Sequence, residues 1–308
     1  MKRLVAVLGL VALAGAAAVL EPTQTIPGKL GGDAFFEGRP TRVWLKTLES
    51  EDVAAREAGI GRLEAGSDAS SVELLRQIVV RAPQAESRWT AIELLGKKKG
   101  AARSAAPELL KALDDSDPHV RSVAATTLPE IETPADQAIP ALIGKLHDQS
   151  PVPVIRALSR YAEKAQPATS ELIKIMQDGS LPEDVRWNAI RTLGKMREAG
   201  ADAIPELVPL VKDPATRIRE HAAEALGDIG PPSRAHIPLL VSSLADPDVK
   251  VRRDSVRSIG QIGVEPGSLA GVIAEVEKLA KDPEEIVRDA AQTTLKQLQP
   301  PTGGSSKK

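Results

Sequence analysis

Apolar residues recur along most of this chain at helical spacing, and residues 213–230, DPATRIREHAAEALGDIG, show the unit most clearly. Ile218, Ala222, Ala223, Leu226 and Ile229 fall on one stripe of a predicted helix. Asp213 is expected to cap its start, Pro214 to occupy the first turn, and Gly227 and Gly230 to serve the far end. Degraded copies follow a register anchored at Arg56, Arg88, Arg121, Ile155, Arg186, Arg219, Arg252 and Arg288, with steps of 32, 33, 34, 31, 33, 33 and 36 residues. Seven residues after each anchor the same face returns, at Leu63, Leu95, Leu128, Ala162, Leu193, Leu226, Ile259 and Leu295. A shorter apolar helix is expected before each of these, often with Pro in its first turn (Pro107, Pro140, Pro167, Pro205, Pro238). The turn between the two is usually Asp-Pro, at Asp117, Asp213, Asp246 and Asp282. One such helix cannot bury its stripe alone, whereas stacked copies can, so the pattern predicts eight two-helix units over residues 41–298.

The flanks differ in kind. Lys2 and Arg3 precede an uninterrupted small and apolar run over residues 4–20, the layout of a secretory signal. Seventeen apolar residues also reach the lower limit for crossing a bilayer, so a cleaved signal peptide and an N-terminal membrane anchor both remain open for residues 1–20. Either way the rest is expected to be exported, periplasmic or extracellular, or held at the membrane only by that segment. Residues 21–40 bring Pro, Gly and Thr without helical periodicity and read as a linker; residues 299–308 lack apolar anchors and read as a disordered tail.

Composition narrows the chemistry. Aromatic residues make up only 2% of 308, so the apolar content is carried by Ala, Leu, Val and Ile, which suits closely packed helices in thin layers. The formal net charge is −2; loss of Lys2 and Arg3 would leave 38 basic against 42 acidic side chains, or −4, and neither balance points to nucleic acid. With no cysteine, the chain has no disulfide, thiolate metal site or thiol nucleophile. The four histidines, His119, His147, His221 and His236, do not lie at metal-ligand spacing within one helix, and no phosphate loop or nucleophile elbow follows a strand, since no strands are expected. No catalytic residue, metal or cofactor is therefore expected.

A period near 33 is shared by several repeat families, but the turn motif of ankyrin and the aromatic positions of tetratricopeptide repeats are missing. The stretch AHIPLLVSSLADPDVKVRRDSVRSIGQIG, residues 235–263, closely resembles the HEAT repeat, in particular the short variety named from phycobilin lyases. The opening FFEGRPTRVWLKTLES, residues 35–50, is similar to the lead-in of exported bacterial HEAT proteins. The resemblance implies an all-α, right-handed α-solenoid of about eight two-helix HEAT-like repeats, an armadillo-like superhelix. It also implies that the recurrent Arg and turn Asp form a ladder between copies. Copy four departs from the pattern: Ile155 stands at the anchor and Pro151 and Pro153 crowd the turn, so a local change of twist is expected. The iron-binding HEAT-like hydroxylases use paired His-Glu steps, and here Val120, Asp148, Ala222 and Ile237 follow the histidines. No residue carries over the lyase activity that the repeat name implies.

In such a solenoid the second helices line the concave side. Positions away from their apolar stripe hold Arg156, Arg160, Tyr161 and Lys164 in copy four and Trp187, Asn188, Arg191 and Lys195 in copy five, with no acidic residue among them. Copy two adds Trp89 and Lys97, while copy six switches to Glu220, Glu224 and Asp228. These ten residues are the candidate strip for an acidic protein surface or extended segment. Against this stands the plainer reading of a solvated face, with both tryptophans sealing the seam to the next copy. The function expected is a non-catalytic protein-binding scaffold. Its rivals are an accessory or lyase-like protein acting on a chromoprotein, and a nucleic-acid binder like the HEAT-like alkyl-base glycosylases, which an exported location argues against.

Overall fold

The computed structural model describes residues 25–66 and 68–298; the apolar leader and the tail lie outside them. The chain is all-α apart from one two-stranded hairpin, and it is a solenoid of HEAT repeats divided into two compact units, Met1–Ala141 and Leu142–Lys308. The first unit begins with α1 (Thr25–Leu30), β1 (Phe35–Phe36) and β2 (Arg39–Pro40). Three helix pairs follow: α2 (Thr41–Leu48) with α3 (Val53–Ala65), α4 (Ala69–Arg81) with α5 (Ala85–Lys97), and α6 (Ala106–Ala112) with α7 (Pro118–Thr127). After α8 (Ala135–Ile143), the second unit continues with α9 (Val152–Arg160), α10 (Thr169–Gln177) and α11 (Glu183–Lys195), then α12 (Ile204–Leu207) and α13 (Thr216–Ile229). It ends with α14 (Ile237–Ser242), α15 (Val249–Ile262), α16 (Pro266–Lys278) and α17 (Glu285–Leu298).

The stripe read from residues 213–230 is the core: Ile218, Ala222, Ala223, Leu226 and Ile229 are all buried. Gly230, at φ +84°, closes α13 as expected. Asp213 is not its cap. The helix starts at Thr216, and Asp213 instead accepts from the Ala215 amide at 2.8 Å and from Arg186 at 3.4 Å. The aspartates six residues before an anchor are the ladder carboxylates, and those four residues before, such as Asp52, Asp117 and Asp248, are the helix caps. Arg88 grips Asp115 at 2.7 and 2.8 Å, Arg219 grips Asp246 at 2.9 and 3.1 Å, and Arg252 grips Asp282 at 2.8 and 3.0 Å. In each case Nη1 also donates to two carbonyls of the arginine's own turn. A half-buried, bidentate pair repeated at successive joints fixes the register of stacking.

Glycine sets the helix spacing. Gly96, Gly194, Gly227 and Gly260 stand eight residues after their anchors, where a side chain would run into the next copy; a Cβ on Gly194 would lie 2.8 Å from the Ala225 Cα. Hydroxyls bridge the gap, Ser258 donating to the Ala223 carbonyl and Thr294 to that of Val256, both at 2.8 Å. The inner prolines follow a different rule from the one expected. Pro107, Pro205 and Pro238 sit in first turns, but Pro167 lies in the 3-10 turn before α10 and Pro140 inside α8.

Copy four has a different register from the one the sequence suggests. A left-handed residue stands eleven positions after the anchor at Lys99, Glu132, Arg197, Gly230 and Gly263; in copy four it is Ala162, eleven after Pro151. The other second helices start three residues before their anchor, whereas α9 starts one after Pro151. Pro151 thus takes the anchor place, Leu158 and not Ala162 is the buried residue seven later, and α9 lacks one N-terminal turn.

Part of the segment read as a linker is folded in the structure. Phe36 and Trp44 are buried 5.5 Å apart, the Trp44 Nε1–H donates to the Phe36 carbonyl, and the Thr41 hydroxyl and Ala34 amide both bond Gln77. Arg62 and Arg39 flank the Trp44 ring at 5.5 and 6.0 Å. This hairpin covers the apolar end of the first pair, which has no preceding copy to cover it.

Candidate functional site

With the corrected register, Arg156 on α9, Arg191 on α11, Glu224 on α13 and Arg257 on α15 hold equivalent positions, five after the anchor. Arg160, Lys195, Asp228 and Gln261 form the next row, nine after it. Both rows run across the face made by the second helices of the second unit. Arg156, Arg160 and Arg191 are exposed, as is Lys164 in the 3-10 turn of residues 162–168.

Other members of the strip are engaged within the protein. Asn188 is 4% exposed, not outward-facing; its side-chain N–H donates to the Asp184 carbonyl at 2.6 Å and its oxygen accepts from Arg156 Nε at 3.2 Å. It lies two after its anchor, on the side of α11 that packs toward α9. Lys195 is bonded to Asp228 and lies 3.9 Å from Glu224. Trp187 stacks on His221, ring centres 4.8 Å apart, with the Arg217 guanidinium 5.7 Å from its centre. The Tyr161 phenol is pushed up to about 12 by burial and stays neutral at neutral pH.

The acidic stripe of copy six is neutralised from both sides. The His221 hydrogen bond at 3.0 Å, then the fields of Lys195 and Arg191, hold the Glu224 carboxyl below its usual range against the opposing effect of burial. Glu220 lies 3.6 Å from Arg253, and buried Asp254 is gripped by Arg253 at 2.8 and 2.7 Å and lies 3.4 Å from Arg257. What stays outward is a cluster of guanidinium groups on α9 and α11, beside a half-buried Trp187. Neither the His221–Glu224 pair nor the Arg217 contact was singled out from sequence, although the three-residue spacing of His221 and Glu224 is visible there.

Trp89 and Lys97 belong to the first unit. Trp89 meets His119 edge-on at 5.1 Å and closes the seam between α5 and α7, while Lys97 pairs with Glu64 at 2.8 Å. Its neighbour Lys98 turns inward and donates to the Leu63 and Gly66 carbonyls at the end of α3, and burial lowers its pKa. An apolar groove of about 820 Å³ lies between α14 and α16, lined by Ile237, Val241 and Val272. Among the described residues no group of three or more His, Asp or Glu side chains could hold a metal ion, and no helix is long and apolar enough to cross a membrane.

Comparison with known proteins agrees with this architecture. A chain from the Kap95p–RanGDP structure matches with a TM-score of 0.57 at 14% identity, over 84% of this chain and 40% of that one. Importin beta crystallised in ammonium sulfate matches with a TM-score of 0.59 at 15% identity, over 83% and 40%. The chain therefore spans about 40% of the length of these structural neighbours, and at such identity the likeness concerns the fold. Human deoxyhypusine hydroxylase aligns at 19% identity over 84% of this chain and 95% of that one, but with a TM-score of only 0.34. No curated protein matches the sequence. The family model for HEAT repeats matches residues 72–164 and 169–260, more than half of the chain, and this protein belongs to the HEAT-repeat family.

Proposed function

We propose that this chain is a non-catalytic protein-binding scaffold that takes an acidic, extended segment of a partner across α9 and α11. The observation that carries the reading is the exposure of Arg156, Arg160 and Arg191 at equivalent rows of adjoining helices, with Lys164 beyond them. Lys195 and Asn188 orient this cluster from within: one is held by Asp228, the other holds Arg156. Trp187 supplies a half-buried edge already stacked on His221, so it contributes a fixed apolar wall. Protein binding by HEAT solenoids has a printed precedent in Kap95p, which binds RanGDP. We place the scaffold outside the cytoplasmic membrane on the strength of Lys2, Arg3 and the apolar run that follows.

The test is titration of a fluorescein-labelled Glu-Gly repeat peptide against wild type and the triple variant R156E/R160E/R191E. Because a single exposed ion pair contributes only about 0 to 1 kcal/mol, single changes should be nearly silent, whereas the triple reversal should weaken binding at least tenfold, about 1.4 kcal/mol. The melting temperature should stay close to wild type, since these side chains stand off the packed stripe. Unchanged affinity in the triple variant would remove the proposal, and tighter, steeply salt-dependent binding of duplex DNA than of the peptide would favour the nucleic-acid alternative.

A further inference from the structure

A groove of about 710 Å³ runs along the edge where the second helices of copies four to seven end. Its floor is low because Gly194 and Gly227 carry no side chain and Gly230 turns the backbone at φ +84°. Copy four contributes Ser159 and Ala162, and copy seven closes the far end with Gln261. Four copies stacked about 8 to 10 Å apart give a length of about 24 to 30 Å. That length accommodates about seven to nine residues of extended chain.

The chemistry of the walls is one-sided. Helices α9, α11 and α13 all end here, and each presents last-turn carbonyls and the negative end of its dipole. Three carboxylates line the groove against two cations. Lys195 is committed to Asp228 and Glu224. Arg197 lies 3.5 Å from Glu163, with both side chains more than half exposed, a pairing of small net value that an incoming cation can replace. Glu198 is exposed and has no hydrogen-bond or ion-pair partner among the described residues. From this we infer a second docking site, distinct from the arginine cluster: the groove takes an extended peptide segment bearing lysine or arginine, its cations set against Glu163, Glu198 and the helix C-termini.

The experiment uses the full chain and a fluorescein-labelled alternating Lys-Gly octapeptide, read by anisotropy at low ionic strength. E163Q/E198Q removes the two available carboxylates and should weaken binding at least fivefold. Ser159→Trp fills the groove without changing charge and should weaken it by a similar factor. A variant with the same charge loss elsewhere in the unit, E275Q/E277Q on α16, should stay within twofold of wild type. Circular dichroism and melting temperature establish that each variant is folded. Absence of probe binding by wild type would overturn the proposal. So would wild-type affinity in folded Ser159→Trp, or equal losses in the groove and α16 variants, since either result would assign binding to general surface charge. Titrating the Glu-Gly peptide in parallel separates this site from the arginine cluster, because R156E/R160E/R191E should lose the acidic probe and keep the basic one.

Discussion

Gly194→Ala is the sharpest test of how the copies are spaced, because two well-calibrated effects predict opposite signs. Replacing a glycine by alanine inside an exposed helix normally stabilises it by about 1 kcal/mol, through higher helix propensity and a less flexible unfolded chain. At Gly194 the new Cβ would stand 2.8 Å from the Ala225 Cα and 3.1 Å from its Cβ. Carbon atoms sit at about 3.5 to 4.0 Å at their optimum, so α11 and α13 would have to separate locally by about 0.7 to 1.2 Å. The obstacle is backbone, so no rotamer change relieves it. Overpacking of this kind costs about 1 to 3 kcal/mol, and set against the propensity gain the net change should be destabilising by up to about 2 kcal/mol.

Gly61→Ala is the internal control: it lies inside α3, and a Cβ there would meet nothing within 4 Å. It should be stabilising by about 0.5 to 1 kcal/mol. Urea unfolding gives the sign for each variant. Hydrogen exchange then locates the effect, which should concentrate at α11 and α13, because repeat arrays lose stability joint by joint. Stabilisation by Gly194→Ala equal to that by Gly61→Ala would refute the close-approach argument.

Other expectations follow from the same structure. Leu226 is fully buried, so Leu226→Ala should cost about 2 to 5 kcal/mol and loosen α13 and its neighbours before α17, as read by hydrogen exchange. Burial pushes the Asp115 and Asp246 carboxyls up, but hydrogen bonds from Arg88 and Arg219 outweigh it, and at Asp282 the Arg252 hydrogen bond dominates, so all three stand below their usual range. Groups depressed in the folded state stabilise above the unfolded carboxylate pKa near 4 and lose that contribution as pH falls through the folded value; melting temperature should hold down to about pH 5 and drop below about pH 4, less steeply for Asp282→Asn. A periplasm-dependent reporter fused after Lys308 should be active, and activity of a cytoplasm-dependent one instead would overturn the proposed export.

The array was legible because its stripe repeats with little variation: Ile218, Ala222 and Leu226 have counterparts wherever a second helix is found. Copy four was misread because a slip of four residues is close to one turn of 3.6, so Ile155 and Pro151 share a face and both satisfy the apolar pattern. The left-handed residue that separates the two registers is Gly at Gly230 and Gly263 but Lys99, Glu132, Ala162 and Arg197 elsewhere, and non-glycine residues do not advertise that conformation. The ladder and the caps merged for a similar reason, since Asp recurs at both places, as in Asp246 and Asp248. At the site, the partner acids of Lys195 were visible as Glu224 and Asp228, but that they neutralise it depends on α11 and α13 lying side by side. The buried state of Asn188 depends in the same way on α9. The Trp44 hairpin occurs once, so no repetition exposed it.

The copy-four slip also bears on binding. Between copies four and five the ladder has no rung, because Pro151 stands in the arginine's place and Ser180 in the aspartate's. What crosses that joint is weaker: Arg156 Nε to Asn188 at 3.2 Å and the Thr192 hydroxyl to the Ile155 carbonyl at 3.3 Å, beneath the apolar packing. The exposed arginines stand on the two helices of this joint, Arg156 and Arg160 on one side and Arg191 on the other. A ligand that bridges them supplies the charge pairing that the missing rung would have supplied, from the partner rather than from the chain. Binding and the local stability of α9 and α11 are then thermodynamically linked, with the joint gaining RT ln(1 + [L]/Kd) when the segment is bound. On this account the break in the repeat is what leaves unsatisfied arginines on the second-helix face, whereas at regular joints the anchor arginine is satisfied by the next copy.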